Sequence, residues 1–156
     1  MARVAAGQEH SLFLHPKGNA MYACGHNGYK QCGVQDEKAM TKHKEKSSEG
    51  LAESKKDPML LKPARVAFPI VKDLDKVGRI VDIAVGEYHS LAVTSGGKLY
   101  TWGSGGYGAN GIDPRVSGVD IHPRLSHDLL RDTDVFVHQA SGGSQHSLVL
   151  ATRYSE

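Results

Sequence analysis

The chain has 156 residues, with 19 Lys and Arg against 17 Asp and Glu and a formal charge of +2. So balanced a chain is neither a strongly basic nucleic-acid scaffold nor an acidic tail, and its two cysteines make no disulfide framework. Eighteen glycines against six prolines point to many tight turns rather than long helices.

The N-terminal stretch has no apolar core of the kind a signal peptide needs, and no apolar run approaches the ~18 residues of a membrane span. A chain in a reducing compartment, cytoplasmic or nuclear, is expected. In chain order, a strand ending near residue 6 leads into Gly7-Gln-Glu-His10-Ser11-Leu. A hairpin at residues 16–19 joins it to MYACG and then to a glycine-rich stretch that includes Gly25 and Gly33. Residues 1–34 therefore form a first repeat. Residues 35–62 hold 13 charged side chains, seven basic and six acidic, and read as a charged, loop-like insertion with little regular structure. Residues 63–156 carry the remaining repeats. Pro63 and Pro123 each open a Pro-x-apolar strand, and residues 80–85 and 135–140 are strands rich in β-branched residues.

The second motif copy is Gly86-Glu87-Tyr88-His89-Ser90-Leu-Ala-Val, and the third is Gly143-Ser-Gln145-His146-Ser147-Leu-Val-Leu. After the second copy, SGG at residues 95–97 is a tight hairpin connection, followed by LYTWG with Trp102 and Gly103, a loop with Tyr107, and Gly111. Tyr29 sits in the matching loop of the first copy. Order and spacing repeat together: His10 to Gly25 is 15 residues and His89 to Gly103 is 14. About four short strands per repeat, recurring at tens of residues, predict an all-β, partial β-propeller of four-stranded antiparallel blades forming an incomplete ring. Strands are expected within 80–94, 98–103 and 135–151, with Leu91, Val93, Leu99, Trp102, Leu148 and Leu150 buried.

The combined motif, Gly-x-x-His-Ser-Leu followed by Gly-x-Leu-Tyr-x-Trp-Gly, resembles the repeat of the regulator of chromosome condensation family. Residues 81–111 match it closely. In residues 4–33, Cys24 stands where the family carries Trp and Cys32 where it carries Leu. Residues 135–152 stop before the second hairpin strand. The resemblance implies about two and a half repeats of a propeller that binds proteins. Since the founding member exchanges guanine nucleotide on a small Ran-like GTPase, it also implies that alternative activity.

Chemical readings of the same motifs are weaker. Residues 103–108 fit G-x-G-x-x-G, but no helix can start well in ANGIDP, so a phosphate cradle is not expected. Cys24, His26 and Cys32 lack zinc spacing and a fourth ligand. Neighbouring strand residues point to opposite faces, so His and Ser of one copy cannot form a nucleophile–base pair, and triplication assigns them to the fold. No catalytic residue, cofactor or metal is expected, nor direct nucleic-acid or membrane binding. Partner recognition is expected on loop residues that vary within the fixed frame: Tyr29, Glu87, Tyr88, Tyr107 and Gln145.

Overall fold

The computed structural model describes residues 3–35, 41–42, 58–68, 78–111, 119–126 and 135–154. The first blade contains β1 (Arg3–Ala6), β2 (His10–Leu14), β3 (Met21–His26), β4 (Thr41–Lys42) and β5 (Pro58–Arg65), ordered β1-β2-β3-β5-β4. The second contains β6 (Ile80–Val85), β7 (His89–Thr94), β8 (Leu99–Ser104) and β9 (Val119–Leu125), in that order. The third has β10 (Val135–Gly142) paired with β11 (Ser147–Arg153). Every ladder is antiparallel. The only helical element among the described residues is a 3-10 turn at Gly106–Gly108.

The internal repeat is also a repeat of register. His10 faces Gly25 across β2–β3, and His89 faces Gly103 across β7–β8. Both glycines have positive φ, +106° and +94°. A Cβ at Gly103 would lie 2.5 Å from the Tyr88 carbonyl oxygen, so the sheet closes tightly only over glycine. The hairpin tips join one blade to the next. Gly18 O accepts a bond from Ile80 N at 2.9 Å, and Gly97 O accepts one from Val137 N at 3.1 Å.

Blades stack through two apolar layers. Leu12, Leu14, Met21 and Cys32 of the first blade meet Ile83, Val85, Tyr100 and Trp102 of the second. Leu91, Val93 and Leu99 of the second meet Val137 and Ala140 of the third. The alternation of β7 explains this division: Ala92 joins the first layer while Leu91 and Val93 join the second. Asp82 ties the three innermost strands together. One carboxylate oxygen pairs with the Arg3 guanidinium on β1, and the other accepts from Ala140 N on β10 at 3.2 Å.

Two expectations need correcting. Leu148 and Leu150 are 67% and 62% exposed, whereas Leu91 and Val93, their counterparts one repeat earlier, are fully buried. These positions face the following blade, and no further copy of the motif follows His146 in these 156 residues. In addition, β5 begins at Pro58 and pairs with β3, while Thr41–Lys42 pairs with the start of β5. Sheet structure therefore reaches inside the segment 35–62. The rest of that segment, 36–40 and 43–57, lies outside the described residues.

A contrast in stability follows from the first correction. Leu91→Ala should destabilise the chain by about 2–5 kcal/mol, while Leu148→Ala should change it by less than about 0.5 kcal/mol. Urea unfolding of the two variants checks this, and equal losses would mean that the two leucines are equally packed.

Candidate functional site

In each copy of Gly-x-x-His the glycine N–H donates to the histidine carbonyl. Gly7 N to His10 O is 2.9 Å, Gly86 N to His89 O is 2.8 Å, and Gly143 N to His146 O is 2.9 Å. A Cβ at Gly86 would stand 2.1 Å from the His89 ring, and one at Gly143 would stand 2.3 Å from the His146 ring. In the second and third copies the glycine is thus the floor on which the imidazole lies, whereas a Cβ at Gly7 would meet the Gly86 carbonyl oxygen of the next blade at 2.5 Å. The two residues between glycine and histidine are pushed to the rim, where they form a loop of variable chemistry: Gln8-Glu9, Glu87-Tyr88 and Ser144-Gln145.

The histidines themselves point between blades. His10 Nε2 lies 2.7 Å from Ser90 Oγ, and Ser90 Oγ donates to Gln31 O at 2.8 Å. His89 Nε2 lies 2.9 Å from Ser147 Oγ, and Ser147 Oγ donates to Ala109 O at 2.9 Å. Gln31 and Ala109 occupy the same place in successive repeats. Since each serine proton goes to a carbonyl, the imidazole Nε2 carries hydrogen and donates to the serine oxygen. The serine is therefore not activated as a nucleophile, because the base lone pair does not face it. Burial, then the neighbouring His89, pushes the His10 pKa down to about 4. Burial, then His146, does the same for His89. Both rings are neutral at pH 7.

This lock between repeats is absent from the sequence reading, which compared His and Ser only within one copy. The recurrence of the dipeptide at the same place in each repeat was the available signal. The buried Asn27 and Asn110 were also missed. Asn27 Oδ1 accepts from Cys32 N at 3.0 Å, and Asn110 Nδ2 donates to Gly103 O at 3.1 Å. Both hold the loops after β3 and β8. Cys32 is buried, and its thiol is pushed up to about 12 by burial and then by Cys24, so it packs as a hydrophobe. No group of three or more His, Cys, Asp or Glu side chains is placed to hold a metal among the described residues.

The structure brings four of the five loop residues together. Tyr29, Tyr88, Tyr107 and Gln145 line one cleft of about 190 Å³, with Ser104, Ser144 and the edge of His89. The Tyr29 and Tyr88 rings lie 4.7 Å apart at 49°, and His26 meets the edge of Tyr29 at 6.1 Å. The fifth residue, Glu87, stands beside the wall: its carboxylate accepts from the Ser144 hydroxyl. The bond from Tyr88 to Glu87 holds the phenol above its usual range. Glu9 lies on the same rim, 2.9 Å from His26 Nδ1. Tyr107 has φ +58°, a left-handed backbone rare outside glycine, and its ring is 84% exposed. The cleft thus draws on loops of three successive blades.

The sequence profile of the regulator of chromosome condensation (RCC1) repeat matches residues 19–93, and a second RCC1-repeat profile matches residues 80–109. The chain belongs to the RCC1 repeat family. The guanine nucleotide exchange factor SRM1 of Saccharomyces cerevisiae is 26% identical over 139 residues, which is 89% of this chain and 26% of SRM1. Human HERC2, an E3 ubiquitin-protein ligase, is 61% identical over 76 residues, which is 49% of this chain and 2% of HERC2. The crystal structure of Prp20p from Saccharomyces cerevisiae superposes with TM-score 0.71 at 24% identity, covering all of this chain and 32% of Prp20p. The chain therefore spans about a quarter of the curated exchange factor and about a third of the solved propeller. Among the described residues no helix is long and apolar enough to cross a membrane.

Proposed function

We propose that this chain is a protein-interaction segment of an RCC1-like propeller and that the tyrosine cleft is its recognition surface. The observation that carries the reading is the convergence of Tyr29, Tyr88, Tyr107 and Gln145, four positions scattered over more than a hundred residues, onto one wall. Tyrosine offers a large contact area and a polar tip at low entropic cost. The loops stand on blades locked by buried His–Ser couples, so they are presented with little ordering left to do. The chain acts by binding and not by covalent chemistry on a small molecule. The serine protons committed to backbone carbonyls support that reading.

A second reading, guanine-nucleotide exchange on a small Ran-like GTPase, is favoured by the match to SRM1 over 89% of this chain. Exchange needs no acid or base. It needs tighter binding to the nucleotide-free GTPase, which lowers nucleotide affinity by reciprocity. Release of a fluorescent guanine nucleotide from a Ran-like GTPase separates the two readings. Acceleration by the chain, lost in Tyr88→Ala, supports exchange. Capture of a protein partner without acceleration supports the interaction module alone. No capture and no acceleration contradicts both.

A further inference from the structure

The geometry points to an arginine side chain of the partner protein as the group that enters the tyrosine cleft. This rests on the reading of the cleft as a partner surface and names what the surface takes. Three observations carry it. The first is aromatic: Tyr29 and Tyr88 present tilted ring faces from two different blades, and such faces attract a cation. The second is charge. The rim beside the rings carries two carboxylates, Glu87 next to Tyr88 and Glu9 on the neighbouring loop, the latter 2.9 Å from the imidazole of His26. Among the described residues the cleft's own wall holds tyrosine, serine, glycine, alanine, glutamine and one histidine, and no Lys or Arg. The neutral His89 spends its Nε2 hydrogen on Ser147 and does not offset the carboxylates. Lys30, which follows Tyr29 in the chain, is not on that wall.

The third observation is strain. Tyr107 holds a left-handed φ of +58° and leaves its ring in solvent. An unfavourable backbone that displays an unpaired aromatic side chain at the mouth of a cleft is a feature of ligand clamps. Within this set, arginine fits better than lysine. A planar guanidinium can stack on a ring face while its edge donates two hydrogen bonds to a carboxylate, whereas an ammonium gives only a point charge.

The test is an NMR titration of the isotope-labelled chain with Nα-acetyl-arginine N-methylamide. The matching citrulline, lysine and norleucine derivatives serve as probes of charge and shape. The expected result is saturable shifts centred on the amides of Tyr88, Tyr107 and Gln145, with arginine binding about five- to tenfold tighter than citrulline. Glu87→Gln should weaken the arginine derivative by about threefold or more. Glu87→Asp keeps the carboxylate on a shorter arm and should bind the arginine derivative more tightly than Glu87→Gln does, which separates lost charge from a disturbed loop. Citrulline or norleucine binding as well as arginine, lysine binding more tightly, or shifts centred elsewhere would overturn the assignment. A protein partner captured through Tyr88 but indifferent to Glu87→Gln and to free arginine would overturn it while leaving the cleft as the recognition surface. Loss of capture in no tyrosine variant would remove the cleft itself.

Discussion

Trp102→Ala is expected to lower the stability of the chain by about 3–5 kcal/mol. Trp102 is fully buried between the first and second blades. Its ring meets Phe68 edge-on at 6.1 Å, and Phe68 in turn packs on Tyr100 at 4.8 Å. The indole also lies under Gly33, where a Cβ would come within 2.8 Å of Nε1. Neighbours held by backbone on one side and sheet on the other cannot collapse into the void, so the cavity term adds to the lost transfer energy. The indole Nε1 is buried without a hydrogen-bond partner among the described residues, so Trp102→Phe should cost clearly less than Trp102→Ala: it keeps a ring and removes that donor. Urea unfolding followed by circular dichroism measures both. A loss below about 1 kcal/mol for Trp102→Ala would mean that the interface between blades does not depend on this ring.

Acid should unfold the chain through the two buried histidines. His10 and His89 have folded pKa values lowered to about 4 from 6.5. Between those values the unfolded chain binds protons that the folded chain refuses, so stability rises with pH across that window. The contribution is fully present above about pH 6.5 and is lost as pH falls toward 4. Each histidine accounts for roughly 3 kcal/mol at full effect, the free-energy equivalent of its shift. Denaturant midpoints measured between pH 7.5 and 4 should fall steeply below pH 6.5. His10→Gln, which keeps a donor for Ser90 but cannot be protonated, should flatten the profile. A midpoint indifferent to pH between 6.5 and 4 would show that neither ring is held neutral.

The repeated hairpins were legible in the residues because strand chemistry is local. Alternation in β8, the SGG connection and the spacing from His to Gly are set within about fifteen residues. The burial of Leu148 and Leu150 was not legible, because it depends on what lies across the sheet and not on the sheet's own pattern. Leu148 repeats Leu91 in sequence, yet one is covered by the next blade and the other is not. Cys24 shows the same effect from the opposite end. It aligns with Trp102, but Trp102 packs against a preceding blade, and in the first repeat no described blade precedes Cys24.

The candidate site was half legible. Variation inside a fixed glycine frame picked out Tyr29, Tyr88, Tyr107 and Gln145, and the loops that carry them lie on the same rim of three successive blades because the repeat places them there. The His–Ser lock was hidden because its partners are 80 and 58 residues apart in the chain. Only the stacking of blades brings a histidine of one copy to the serine of the next. Asp82 was equally silent: its two bonds run to different blades.

The His10–Ser90 couple is the joint on which the presentation of the cleft depends, and a double-mutant cycle measures it directly. His10→Ala, Ser90→Ala and the double variant are unfolded in urea at pH 7.5, where both histidines are neutral. The expected coupling is about 1–2 kcal/mol, because each single change leaves the other partner buried without its hydrogen bond. Effects that add within about 0.5 kcal/mol would contradict the lock between blades.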